Sequence, residues 1–173
     1  MNVKIDQKIE SHDKLKIRLG TPEDVHEVMK LALMVSDENG FLEPDPEKIL
    51  HDVWGSLHRD KGLIGIIGEP GEPIEGGVML RIGTYWYSKA SFLEERVVFT
   101  HPDFRGAKAG RARRLCEFSK QTADALGLPL LIGVLSNDRT EAKVKLYERV
   151  FGKPAGAFFL HGARTGAVEE DKK

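Results

Sequence analysis

A single cysteine, Cys116, stands in the 173 residues, so neither an internal disulfide nor a cysteine zinc site can form. Long apolar runs are also missing, and none approaches the roughly 20 residues that span a bilayer. No charge sign dominates: 26 Lys and Arg oppose 27 Asp and Glu, for a formal net charge of -1. That balance excludes attraction of the whole surface to nucleic acid or anionic lipid, so any basic patch must be local. His12, His26, His51, His58, His101 and His161 show no metal-ligand spacing, so no metal is expected. There is no internal repeat and no low-complexity segment. The opening "MNVKIDQKIESHDK" lacks the apolar centre of a secretory signal. With the lone cysteine, this leads to an expectation of cytoplasmic location with no membrane partner.

What is present is ordinary for a globular chain: 40% hydrophobic and 31% charged residues. The length suits one domain with a real core. "LKIRLG", Leu15 to Gly20, alternates apolar and charged residues and predicts a strand. "TPEDVHEVMKLALMV" predicts an amphipathic helix with Thr21 as cap, Pro22 in the first turn and Asp24 as the acidic third residue. A second helix restarts at Asp45-Pro46. Two strands flank the turn "GEPGEP", and "SFLEERVVFT" is another. "RARRLCEFSKQTADALG" predicts a helix with Leu115, Phe118, Ala125 and Leu126 on or near its buried face and Gly127 closing it. "LPLLIGVLS" reads as a strand buried on both faces, "NDRTEAKVKLYERVF" as a helix and "AGAFFLHG" as a last strand. The order β-α-α-β-β-β-α-β-α-β predicts a mixed α/β domain around one sheet. The expected boundaries are an N-terminal extension over 1–14, the domain over 15–163 and a flexible tail over 164–173.

"FRGAKAGRARRL", Phe104 to Leu115, lies between a strand and a helix. A helix start presents unpaired N–H groups, and its dipole favours an anion. Gly106, Ala107, Ala109 and Gly110 let backbone close around a phosphate, and Arg105, Lys108 and Arg111 add charge. The pattern is neither a P-loop nor the dinucleotide-binding glycine motif. A solvated basic turn and a nucleic-acid patch are the other readings. Arg111, Arg113, Arg114 and Lys120 spread around the helix rather than forming a stripe, so no nucleic-acid partner is expected.

With the strand before it and the helix carrying Leu146-Tyr147-Glu148 after the next strand, the stretch resembles the Gcn5-related N-acetyltransferases over roughly Leu15 to His161. The resemblance implies an α/β (α+β) fold with a mixed, mostly antiparallel sheet and helices on both faces. It implies acetyl-CoA as acyl donor and an N-acetyltransferase acting by direct attack in a ternary complex. In that family the loop reads Arg/Gln-x-x-Gly-x-Gly/Ala and holds the pyrophosphate. Arg105 matches the first position and Gly110 the last, while Lys108 stands where the central glycine is usual. Backbone of Val98, Phe99 and Thr100 would pair with the pantetheine arm. Asn137 resembles the family's asparagine at the next helix start, or is simply that helix's cap.

Acetyl transfer needs an unprotonated amine, a polarised thioester and a stabilised thiolate. By the resemblance Glu94 is the base, with Glu95 as fallback. Adjacent strand residues face opposite sides, so one at most faces a given cleft. The other reading is two strand-surface charges, one paired with Arg96. Tyr147 is implied as the acid, or is a core aromatic with a bonded hydroxyl. Cys116 reads as a buried small hydrophobe. Tyr85, Trp86 and Tyr87 suit an acceptor pocket, a homodimer surface or local packing. Glu38, Glu43 and Asp45 would favour a cationic acceptor, either a small molecule or a peptide amine. The alternative function is a non-catalytic CoA- or anion-binding sensor.

Overall fold

Turn chemistry sets most element boundaries. The computed structural model describes residues 15–39, 41–106, 110–136 and 139–162. The expected extension over 1–14 and tail over 164–173, with Ala107, Lys108, Ala109 and Asn137, lie outside the described residues. β1 (Ile17–Leu19) leads through a 3-10 turn into α1 (Val25–Asn39). Asp24 fixes that entry: its carboxylate accepts from the Thr21 N–H at 2.8 Å and takes both terminal nitrogens of Arg18 at 2.7 Å. α2 (Pro46–Leu57) starts where Asp45 accepts from the N–H groups of Glu47 and Lys48. β2 (Gly62–Ile67), β3 (Gly76–Thr84) and β4 (Ser91–Thr100) follow as antiparallel neighbours. α3 (Arg111–Leu126) ends at Gly127, whose φ of 64° is the left-handed closure expected of a glycine. β5 (Leu130–Ile132) joins β4 in parallel, and α4 (Thr140–Phe151) completes the described elements. The sheet order is β1-β2-β3-β4-β5.

β2 is buried along its whole length because helices cover both faces of the sheet. Ile64 and Ile66 pack with Val28, Leu31, Val53 and Leu57 of α1 and α2. Leu63 and Ile67 join Leu115, Phe118 and Tyr147 of α3 and α4 on the other face. Gly65 shows how closely α3 approaches: a Cβ there would lie 2.6 Å from the Phe118 ring.

Three local expectations change. The segment 155–162 forms no strand, and Phe159 is 96% exposed. Its large residues Phe158, Phe159 and Leu160 are consecutive, so they cannot all turn to one buried face. The strand over 128–136 shrinks to three partly exposed residues at the sheet edge, because the chain parts from β4 after Ile132. Ala125 is exposed; the buried face of α3 runs instead through Leu115, Cys116, Phe118, Ser119, Thr122 and Ala123.

Candidate functional site

β4 carries a bulge. Met79 pairs with Val97 and Leu80 with Glu95, so Arg96 has no partner on β3. An extra residue reverses which side chains face which side. Leu93, Glu95 and Val98 therefore share the α3–α4 face, while Val97 and Phe99 turn to α1 and α2. On its other edge β4 pairs with β5 only from Leu93 to Glu95. Beyond that point the strands part, and among the described residues no strand covers the edge from Val97 to Thr100.

The gap opens into a cleft of about 590 Å³. Val98, Phe99 and Thr100 form one wall. Arg105, Gly106, Gly110 and Arg111 close one end, and α4 supplies Arg139, Lys143, Leu146 and Arg149. Gly110, at φ 68°, turns the chain into α3, whose N-terminus takes no side-chain cap among the described residues. Arg105 is tightly held. Its Nε donates to the Thr100 carbonyl at 2.7 Å, its guanidinium lies 4.7 Å from the centre of the Phe99 ring, and its Nη2 meets Glu38 Oε2 at 2.6 Å. Glu38 Oε1 in turn lies 3.3 Å from Arg139 Nε. Arg111 pairs with Glu75 at 2.7 Å and stacks near Phe104. Burial pushes the Lys143 ammonium below its usual range, with Arg105 and Arg139 acting in the same direction.

The two carboxylates of β4 part company. Glu94 stays solvent-accessible and lies 3.3 Å from Arg96 Nε. Glu95 is 6% exposed. It accepts from Ser119 Oγ at 2.8 Å on one oxygen and from the Tyr147 hydroxyl on the other. Burial raises the Glu95 pKa, against the opposing effect of the two donors. Tyr147 is buried behind the wall formed by its neighbour Leu146, and its hydroxyl is pushed up by burial and by Glu95. Cys116 is fully buried and its thiol is pushed up to about 12, mainly by desolvation.

Arg105, Gly106, Gly110, Arg111, Val98, Phe99 and Thr100 thus meet at one cleft, while Glu94 and the Glu95–Tyr147 pair stand apart from its lining. Arg139, Lys143 and Arg149 were not singled out from the sequence. Their signal is the helical spacing that puts them on one face of α4 with Leu146. Glu38, read as an acceptor-side charge, instead bridges two arginines. Tyr85, Trp86 and Tyr87 sit in the β3–β4 hairpin, where Tyr85 stacks on Tyr87 at 5.4 Å and tilts against Phe92 at 4.9 Å. Trp86 is 95% exposed. Among the described residues no cluster of three His, Cys, Asp or Glu side chains is poised for a metal, and no helix is long and apolar enough to cross a membrane.

No family model and no curated protein matches the chain. Solved structures do. AAC(6')-Iy in complex with the bisubstrate analog CoA-S-monomethyl-acetylneamine aligns with a TM-score of 0.67 at 15% identity, covering 88% of this chain and 99% of that one. A possible acetyltransferase from Clostridium difficile 630 aligns at 0.64 and 15%, covering 86% and 97%. The aminoglycoside acetyltransferase meta-AAC0020 from an uncultured soil metagenomic sample, in complex with trehalose, aligns at 0.60 and 17%, covering 90% and 99%. The chain has the Gcn5-related N-acetyltransferase fold. In this chain the parting of β4 from β5 and the glycine entry to α3 fall along one cleft, and the bulge at Arg96 lies just before the strand residues that wall it.

Proposed function

We propose that this protein transfers an acetyl group from acetyl-CoA to a primary amine, by direct attack while both are bound. The observation that carries the reading is an edge of β4 that no described strand covers, facing a cation-rimmed cleft that ends at a helix start with no side-chain cap among the described residues. Backbone of Val98 to Thr100 along that edge suits an extended, amide-bearing arm, with the Thr100 carbonyl already taken by Arg105 Nε. Arg105 and Arg111, with the backbone from Gly106 through Ala107, Lys108 and Ala109 to Gly110, suit its diphosphate. Asn137, at the approach to α4, is assigned to the same arm. The binding of a CoA conjugate by AAC(6')-Iy supports this choice of donor.

For the base we assign Glu94, whose carboxylate solvent can reach, rather than Glu95, which is buried and already accepts two hydrogen bonds. Tyr147 holds Glu95 in this reading. A leaving CoA thiol has an ordinary thiol pKa of about 8.5, so its departure near neutral pH needs little help from an acid. The acceptor is an amine on a small molecule or peptide.

The experiment is a paired measurement on the wild type. Acetyl-CoA should raise the melting temperature, because a ligand of the native state stabilises it by mass action. Thiol release should then appear with some members of a broad amine panel. Binding without release across the panel would replace the enzyme with a CoA-binding module. The absence of binding would remove both readings.

A further inference from the structure

α4 turns one lysine into the cleft and leaves another outside. Lys143 lines the cleft one turn after Arg139 and one turn before Leu146 and Tyr147. Lys145 is exposed, with Glu141 at 3.9 Å. The charged groups that act on Lys143 come from the surrounding elements: Glu38 of α1 and Glu95 of β4 favour its charged form, while Arg105 beyond β4 and Arg139 at the start of α4 favour its neutral form. Both carboxylates are engaged elsewhere, Glu38 by the two arginines and Glu95 by Ser119 and Tyr147. Two cations and partial burial therefore weigh on an amine whose anionic neighbours are already bonded. The balance favours its neutral form more than at an exposed lysine, and the direction of its pKa shift agrees.

We propose that Lys143 is itself an acyl acceptor, taking the acetyl group from a thioester held in the cleft and keeping it as an amide. The inference rests on the acetyl-CoA reading above. The neutral Nζ attacks the thioester carbonyl, the C–N bond forms and the C–S bond breaks. The attacking nitrogen gives up one proton to solvent, and the departing thiolate takes one up to become free CoA thiol. No other reactant is needed. Confinement of amine and thioester in one cleft supplies the effective concentration that a surface lysine lacks. The product loses a positive charge between Arg105 and Arg139 and fills cleft volume, so the modified chain binds CoA less well.

The test is incubation of the full chain with isotopically labelled acetyl-CoA and no amine acceptor, followed by intact-mass measurement and peptide mapping. One acetyl group per chain is expected, on Lys143, at least about tenfold faster than on Lys145, because the cleft confines amine and thioester together. The rate at Lys143 should also level off at a pH below the ordinary lysine range. K143R and K143M should both lose this label, with K143R keeping the stabilisation by acetyl-CoA and K143M, which removes the charge as acetylation does, losing part of it. Labelling spread over surface lysines by exposure, or a single label that survives in both variants, would overturn the proposal. If acetyl-CoA stabilises the wild type and no label forms, this inference falls and the donor reading stands. If acetyl-CoA does not bind, both fall.

Discussion

Glu38 Oε2 lies 2.6 Å from Arg105 Nη2, a contact across 67 residues of sequence, and its other oxygen lies 3.3 Å from Arg139. A carboxylate here occupies two of the cations that a diphosphate would use. Binding therefore has to release Arg105 or Arg139 from Glu38. Pairs of this exposure are worth about 0.2–1 kcal/mol, so Glu38→Gln should tighten CoA binding by about two- to fivefold. Titration calorimetry reads this directly. Weaker binding in the variant would mean that Glu38 holds Arg105 in its binding position.

The Tyr147–Glu95 contact makes a separate prediction. Tyr147→Phe leaves one oxygen of a buried carboxyl without its donor, at a cost of about 1–3 kcal/mol in denaturant unfolding. The same variant should bind acetyl-CoA almost normally and lose less than about tenfold in kcat. A larger loss of kcat with unchanged stability would return the hydroxyl to the role of acid.

The pH dependence of the same pair has a definite sign. The folded pKa of Glu95 lies above its ordinary value of 4.5, so the folded state holds the proton more tightly than the unfolded chain. This contribution to stability is complete below the ordinary value and declines as pH rises through the raised one. Glu95→Gln keeps the shape and should flatten that decline in urea melts recorded across the range. An identical slope in wild type and variant would show that Glu95 ionises normally.

Gly110 separates strain from ligand contact. Among the described residues a Cβ there meets Leu15 alone, at 3.8 Å, and the φ of 68° is the obstacle. Gly110→Ala should cost about 1–2 kcal/mol and keep its thermal shift with acetyl-CoA. Gly110→Asp bears no more strain, since Asp tolerates positive φ better than Ala, but adds a negative charge, and should lose the shift. Equal shifts in the two variants would move the diphosphate away from this turn.

Local chemistry made much of the fold legible. Asp45-Pro46 and Gly127 announced helix ends that depend on one or two residues. The glycine entry to α3 and the arginine before it likewise pointed to the cleft. The choice between Glu94 and Glu95 depends on a bulge set by pairing with β3, and nothing within "FLEERVVFT" records that partner. The final strand failed for a related reason: strand propensity in "AGAFFLHG" does not supply a neighbour or a buried face. The cationic face of α4 was written in its helical spacing but becomes a cleft wall only once β4 and β5 diverge.

The unpaired Arg96 works like a frameshift in a two-letter code. Upstream of it odd-numbered positions face α3 and α4; downstream, even-numbered positions do. Removing that one residue would set Glu95 beside Val97 opposite Leu80 and Met79 in a regular ladder, and Val98 and Phe99 would keep the faces they already hold. The strand is therefore one alternating message with a letter inserted, and the insertion bends and twists it just before the cleft wall at Val98.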